Sequence, residues 1–318
     1  MGRSATTPKH RLKGGPPASA RVSPKRRSRR RLWQFAGAYL VLFVLVGAII
    51  LTQPWFKLPG DSRVDGVSAG LPATPDYHSL LVSPTNPDDV YLGTHVGLFR
   101  STDAGATWRK VALDGRDAMN LARVSATKWW AAGHNVLMRS SDGGATWRSV
   151  SPPGLPGLDV HGFAVDPSTT GRLWAAVAGQ GLYRSDDDGA TFREASRDVG
   201  GAVMALAVLP DGRLLAGDMQ RGLVTTADDG HSWQAGLREG LMGLAVNPAD
   251  SGTLLATGAA IFRSTDGGAS FTRVLETPNG SGPVAFAPSL PTRAYVVGLD
   301  RVLYRSDDTG ATWQPATK

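Results

Sequence analysis

The sequence predicts an all-β fold, a six-bladed β-propeller, preceded by one N-terminal transmembrane helix. Three observations carry this reading. An eight-residue pattern, [ST]-x-D-x-G-x-[ST]-[WF], recurs six times at a spacing near 40 residues. Short apolar runs separated by Pro, Gly, Asn and Asp fill the intervals, and one uninterrupted apolar stretch precedes the first copy. A period of this length with several strands per unit is the signature of propeller blades, since a small sheet buries its apolar faces only by packing against its neighbours.

Taken in order, residues 1–31 hold eleven Lys or Arg and no acidic residue, so they read as a disordered basic tail. Residues 32–52 are almost wholly apolar, and Phe35 to Thr52 alone would span about 27 Å as a helix, close to the hydrocarbon thickness of a bilayer. Trp33 and Trp55 flank the run and Pro54 ends it. The basic excess on its N-terminal side places the tail in the cytoplasm and the rest outside, as a single-pass cell-membrane protein. A cleaved signal peptide is the competing reading, but the run is long and no clear A-x-A site follows it. Residues 53–75, rich in Pro and Gly, read as a linker, and residues 76–318 as the propeller. A seventh blade drawn from the linker would lack the repeated pattern.

Bulk properties narrow the function. Without the tail, the chain has 23 basic and 27 acidic residues, a net charge of −4, so the high pI belongs to the tail and nucleic-acid binding is set aside. With no Cys, disulfides, thiolate catalysis and Cys-ligated zinc are excluded.

The pattern begins at Ser101, Ser140, Ser185, Thr226, Ser264 and Ser306, and successive copies start 39, 45, 41, 38 and 42 residues apart. Its Asp residues are Asp103, Asp142, Asp187, Asp228, Asp266 and Asp308. Ser and Asp satisfy loop amides, Gly permits positive φ, and the closing Trp or Phe anchors the turn by packing. These segments resemble the Asp-box (BNR) repeats of the sialidase-like and WD40/YVTN/BNR-like propellers, including xyloglucanase-type glycosidases, sortilin-like receptors and photosystem II assembly factors. The resemblance covers residues 76–318 and implies either a binding or assembly scaffold or a sialidase-like glycoside hydrolase.

Four strands fit each unit, in the first about 78–83, 89–94, 97–101 and 107–112, with residues 91–95 reading as alternating. Antiparallel order then puts every Asp-box, between strands three and four, on one face, and the loops between blades on the other. On that second face, aligned positions hold His78, His95, His134, His161, Asn120, Met204, Met242 and Asp300. Acidic residues, Asp76, Asp117, Asp159, Asp198 and Glu239, lie just upstream in five inter-blade loops. Imidazole, thioether and carboxylate together can ligate a transition metal, copper or zinc, with Met tilting the choice to copper. Inherited repeat positions would produce the same recurrence without a ligand. His78, His95 and His134 are expected to form the tightest cluster. Protein, glycan or metal are the candidate ligands of this face.

A sialidase-like reading needs an arginine triad, a Tyr nucleophile helped by Glu and an acidic donor. Tyr77, Glu239, Arg116, Arg197 and Arg238 lie in the right loops, but nothing in their spacing makes them converge. The repeated Arg100, Arg139, Arg184, Arg263 and Arg305 precede Asp-boxes, so they belong on the opposite face, paired with neighbouring blades or solvent. No P-loop, dinucleotide fingerprint, G-x-S-x-G or H-E-x-x-H pattern is present. A scaffold is therefore the preferred reading and a glycoside hydrolase the alternative.

Overall fold

The computed structural model describes residues 67–199 and 201–317. The expected basic tail, the transmembrane helix at 32–52 and residues 53–66 of the linker lie outside these. Six antiparallel sheets follow one another along the chain, each built on a four-strand meander, so the six-bladed architecture is present as expected. The first strands of the blades are Ser79–Val82, Asn120–Arg123, Val160–Val165, Val203–Val208, Leu241–Val246 and Ser281–Ala287. Each contacts the first strands of both neighbours, and the sixth contacts the first, so these strands line the axis of a closed ring.

The second strand of each blade is the core. Val90–Thr94, Trp129–Gly133, Leu173–Val177, Leu214–Asp218 and Leu254–Gly258 are buried at every position. The alternation expected around Tyr91 to His95 is therefore absent within the strand. Blades pack face to face, so both faces of a second strand meet apolar neighbours, and a continuous apolar run suits that position better than period two. Fourth strands, such as Arg148–Ser149 and Gln234–Ala235, are short and exposed, which leaves little open edge for unwanted pairing.

The reading of 53–75 as a plain linker is corrected at one place. Val67–Ala69 pairs antiparallel with the outer strand Thr107–Ala112 and extends blade 1 to five strands; it does not begin a seventh blade.

Among the described residues no strand is exchanged at ring closure, because blades 1 and 6 are each built from one contiguous stretch. Side chains join them instead. Tyr77, Leu80, Leu92 and Trp108 of blade 1 share a buried cluster with Ala285, Tyr295, Val297 and Leu303 of blade 6. Around it, Arg293 Nη1 reaches Asp88 Oδ1 at 2.5 Å, and the Tyr295 hydroxyl donates to the Pro87 carbonyl at 3.0 Å.

The Asp-boxes are self-contained turns. In blade 2 the Ser140 hydroxyl donates to Asp142 Oδ1 (2.8 Å) and accepts the Gly144 amide (2.9 Å). Asp142 in turn accepts the Thr146 amide and hydroxyl, and the Trp147 indole donates to the Gly144 carbonyl. The Ser/Thr and Asp bonds recur in all six blades, including the one that begins with Thr226. Bonds from the hydroxyl and amide four residues on, then from the Ser or Thr two residues back, lower the carboxyls of Asp142, Asp187, Asp228 and Asp266 to about 2. In Asp308 burial pulls upward, yet the same bonds bring it to about 2.

In blades 3 to 6 the turn also rests on the preceding blade. A Cβ at Gly189 would stand 2.6 Å from the Trp130 ring of blade 2, so only glycine allows this approach. The repeated arginines lace the same junctions: Arg139 Nη2 donates to Asp188 Oδ2 (2.7 Å), Arg184 to Asp229, and Arg263 Nε to the Thr309 carbonyl (2.9 Å). Arg100 and Arg305 stay within their own blades, on Asp89 and Asp307.

Candidate functional site

The opposite face carries a row of four imidazoles across blades 1 to 3. His95 opens the turn between Val90–Thr94 and Gly97–Ser101, and His134 opens the equivalent turn of blade 2, after Trp129–Gly133. His78 immediately precedes the first strand of blade 1, while His161 lies within the first strand of blade 3. A turn between second and third strands thus meets the entry of a first strand. Ring centroids along the row are 4.2 Å apart for His78 and His95, 5.7 Å for His95 and His134, and 4.8 Å for His134 and His161.

Three aspartates interleave with the row. Asp76 contacts His78 Nε2 (3.2 Å) and His95 Nε2 (3.1 Å). Asp117 stands 3.0 Å from His95 Nδ1 and accepts the His134 backbone amide at 3.2 Å. Asp159 Oδ1 meets both His134 Nδ1 (2.8 Å) and His161 Nε2 (3.1 Å). Burial alone would raise the Asp76 carboxyl, but the close polar contact with His78 and the charges of His78, His95 and His134 outweigh it and leave it below its ordinary value.

The expected trio of His78, His95 and His134 is not the tightest grouping. The histidines associate in two pairs, His78 with His95 and His134 with His161, and each pair gathers its own carboxylate, Asp76 or Asp159. The physical reason is the turn geometry: one imidazole of each pair comes from a turn and the other from a first-strand entry, and carboxylates fill the space between. These aspartates were visible upstream of the strands in the sequence, but nothing local distinguished them from ordinary turn residues.

Other expected ligands are occupied elsewhere. Asn120 clamps blade 2 to blade 3: its Nδ2 donates to the His161 carbonyl (3.0 Å) and its Oδ1 accepts the Phe163 amide (3.2 Å). Asp300 caps a turn through the Val302 amide and accepts the Tyr304 hydroxyl at 2.6 Å. Met204 and Met242 line the narrow axial channel beside His78, together with Met119. Met119 was missed because the aligned repeat position falls on Asn120, one residue later.

The parts of a sialidase centre do not assemble among the described contacts. Tyr77 is buried, and its hydroxyl donates to the Pro72 carbonyl at 2.7 Å with Arg301 Nε at 3.4 Å. Arg197 is bound by Glu194 and is largely exposed. Arg238 and Glu239 border a separate hollow of about 330 Å³ with Gln220 and Arg221, and Glu239 lies 3.9 Å from Arg273. Arg116 is exposed on a turn that its amide closes onto the Leu113 carbonyl.

Comparison with known proteins places this architecture. Among solved structures, a GH74 xyloglucanase from Xanthomonas campestris superposes with a TM-score of 0.56 at 20% identity, over 78% of this chain and 46% of that one, so this chain spans about half of the enzyme. A structure described as YCF48 bound to D1 peptide has a TM-score of 0.52 at 20% identity, over 80% of this chain and 86% of that one. YCF48 from Cyanidioschyzon merolae has a TM-score of 0.51 at 17% identity, covering 79% and 88%. At these identities the likeness shows the fold. A search of curated proteins returns no match. The sequence model of the photosynthesis system II assembly factor YCF48 family matches residues 76–318, three-quarters of the chain, and the protein belongs to that family.

Proposed function

We propose that this protein is a membrane-tethered scaffold whose propeller lies on the extracytoplasmic side and holds a polypeptide segment of a client protein on the His-bearing face. One observation carries the reading: four imidazoles and three carboxylates from three blades converge on a single face and are held at the ends of rigid strands. Variable loops on a stiff ring are suited to binding, and polar groups of both charge types can meet a peptide's backbone and side chains. Two further points support it. The family is one of assembly factors, and one relative of the same fold is described as bound to a peptide. The apolar stretch 32–52, with its basic N-terminal flank, supports the tether and its orientation.

The glycoside hydrolase alternative has weaker support, since the hydroxyl of Tyr77 is engaged with Pro72 and Glu239 belongs to a different hollow. A photo-crosslinking amino acid placed at position 134, compared with one at position 146 on the Asp-box face, tests the binding reading in cells. A discrete membrane polypeptide should be captured from position 134 and not from 146. Equal capture from both positions, or turnover of fluorogenic glycosides by the purified chain that is lost in Tyr77→Phe, would reverse the ranking. Alkaline extraction of membranes checks the tether: the chain should stay with the lipid, and its release by carbonate would remove the anchor from the proposal.

A further inference from the structure

Asp76, His78 and His95 bring one carboxylate and two imidazole nitrogens into a compact triangle of residues, in which each imidazole faces a different oxygen of the carboxylate. His78 Nε2 is 3.1 Å from His95 Nε2 and 3.2 Å from Asp76 Oδ1, and His95 Nε2 is 3.1 Å from Asp76 Oδ2. Ligand atoms held about 2.0–2.1 Å from a zinc-sized ion stand about 3.3 Å apart in a tetrahedron and about 2.9 Å apart at right angles. The separation of the two nitrogens falls between those limits, and so does the distance from each nitrogen to the carboxylate oxygen it faces.

Hydrogen bonding accounts for only part of it, since the two Nε2 atoms share one bond with each other. Asp76 Oδ1 is buried and has no hydrogen bond despite its closeness to His78, a state that buried carboxylate oxygens seldom keep. The second triad on the same face differs. There Asp159 Oδ1 makes ordinary hydrogen bonds to both His134 and His161, which explains that grouping without an ion. Behind His95 stands a further carboxylate: Asp117, with a side chain only 9% exposed, lies 3.0 Å from the Nδ1 that faces away from the triangle. A carboxylate against the far nitrogen is the arrangement that orients a ligating imidazole and raises its basicity.

We propose that Asp76, His78 and His95 form a site for one divalent first-row transition cation, zinc or copper, with Asp117 as the orienting carboxylate behind His95. Imidazole nitrogens with a carboxylate suit both ions. Asp76 and His95 are partly exposed, at 42% and 33%, so the site opens to solvent and leaves room for a further ligand. Binding of the cation does not depend on which polypeptide the face holds.

The test is calorimetric titration of the full-length chain, purified in detergent without a histidine tag and stripped of metal, with zinc(II) and copper(II). Cobalt(II) absorption serves as a second readout. One equivalent should bind. Asp117→Asn should weaken binding by roughly 10- to 100-fold, as expected for an orienting carboxylate. His95→Ala and Asp76→Asn should abolish both the heat and the visible cobalt bands, whereas His161→Ala should leave them unchanged. Thermal unfolding of the stripped variants establishes that they are folded, and the exposed position of Asp76 keeps the test decisive if a histidine variant is not. Affinity no tighter than millimolar, or binding that survives Asp76→Asn and His95→Ala, overturns the proposal. So does binding lost in His161→Ala alone.

Discussion

The two faces of the propeller use aspartate in opposite ways. On the Asp-box face the third-position Asp of each repeat is satisfied within its own eight residues: Asp142 takes bonds from Ser140 and Thr146 and needs nothing from another blade. On the His face each carboxylate looks to groups distant in sequence, as when Asp117 spans His95 and the His134 amide, and one oxygen of Asp117 and one of Asp76 remain without a hydrogen bond. Local satisfaction stabilises a turn and leaves little for a ligand. Unsatisfied, convergent groups stabilise less and keep their capacity to bind.

The largest expected effect sits on the structural side. Trp108 is 1% exposed, closes the first Asp-box and belongs to the cluster that joins blades 1 and 6. Trp108→Ala should cost about 3–5 kcal/mol of stability, measured by urea unfolding, because it removes a large buried ring and opens a cavity at the junction of blades 1 and 6. A loss below about 1 kcal/mol would mean that the ion pairs around Asp88 close the ring by themselves.

A smaller pair of variants sharpens the contrast between faces. Ser140→Ala leaves the Gly144 amide without its acceptor inside a buried turn and should cost about 1–3 kcal/mol. His134→Ala, at a side chain 47% exposed, should change stability by no more than about 0.5 kcal/mol. Comparable losses in the two variants would erase the division of labour.

Acid provides the gentlest probe. The folded-state values of Asp142, Asp187, Asp228, Asp266 and Asp308 are depressed to about 2 from an ordinary 3.8. Their contribution is therefore complete above the unfolded value and is lost as pH falls from about 4 towards 2. Carboxyl resonances followed by NMR should show these five titrating well below free aspartate. Titration near 3.8 would mean that the Ser and Thr bonds are not maintained in solution.

How much of this was readable in advance follows from the range of each interaction. The six repeats, the strand order and the assignment of Asp-boxes to one face were legible, because turn chemistry and period are local properties of the chain. The arginines before the Asp-boxes were correctly placed away from the His face, although only the coordinates distinguish Arg139, which bridges to blade 3, from Arg100, which does not. Asn120 and Asp300 looked like ligands because they occupy aligned positions, and became a clamp and a turn cap through partners that alignment does not reveal. Met119 and the strand at Val67–Ala69 were missed for a related reason: a one-residue offset or a three-residue edge leaves no periodic trace.

The sequence by itself determined the blade number, the turns and the face on which polar groups collect, since each depends on residues a few positions apart. Only the tertiary structure decided which of those groups meet. His78 and His95 meet within blade 1, across the turn that follows its second strand, whereas pairing His134 with His161 depends on how neighbouring blades tilt and how far that turn leans toward the next first strand. That is set by packing between sheets rather than by any residue's local preference.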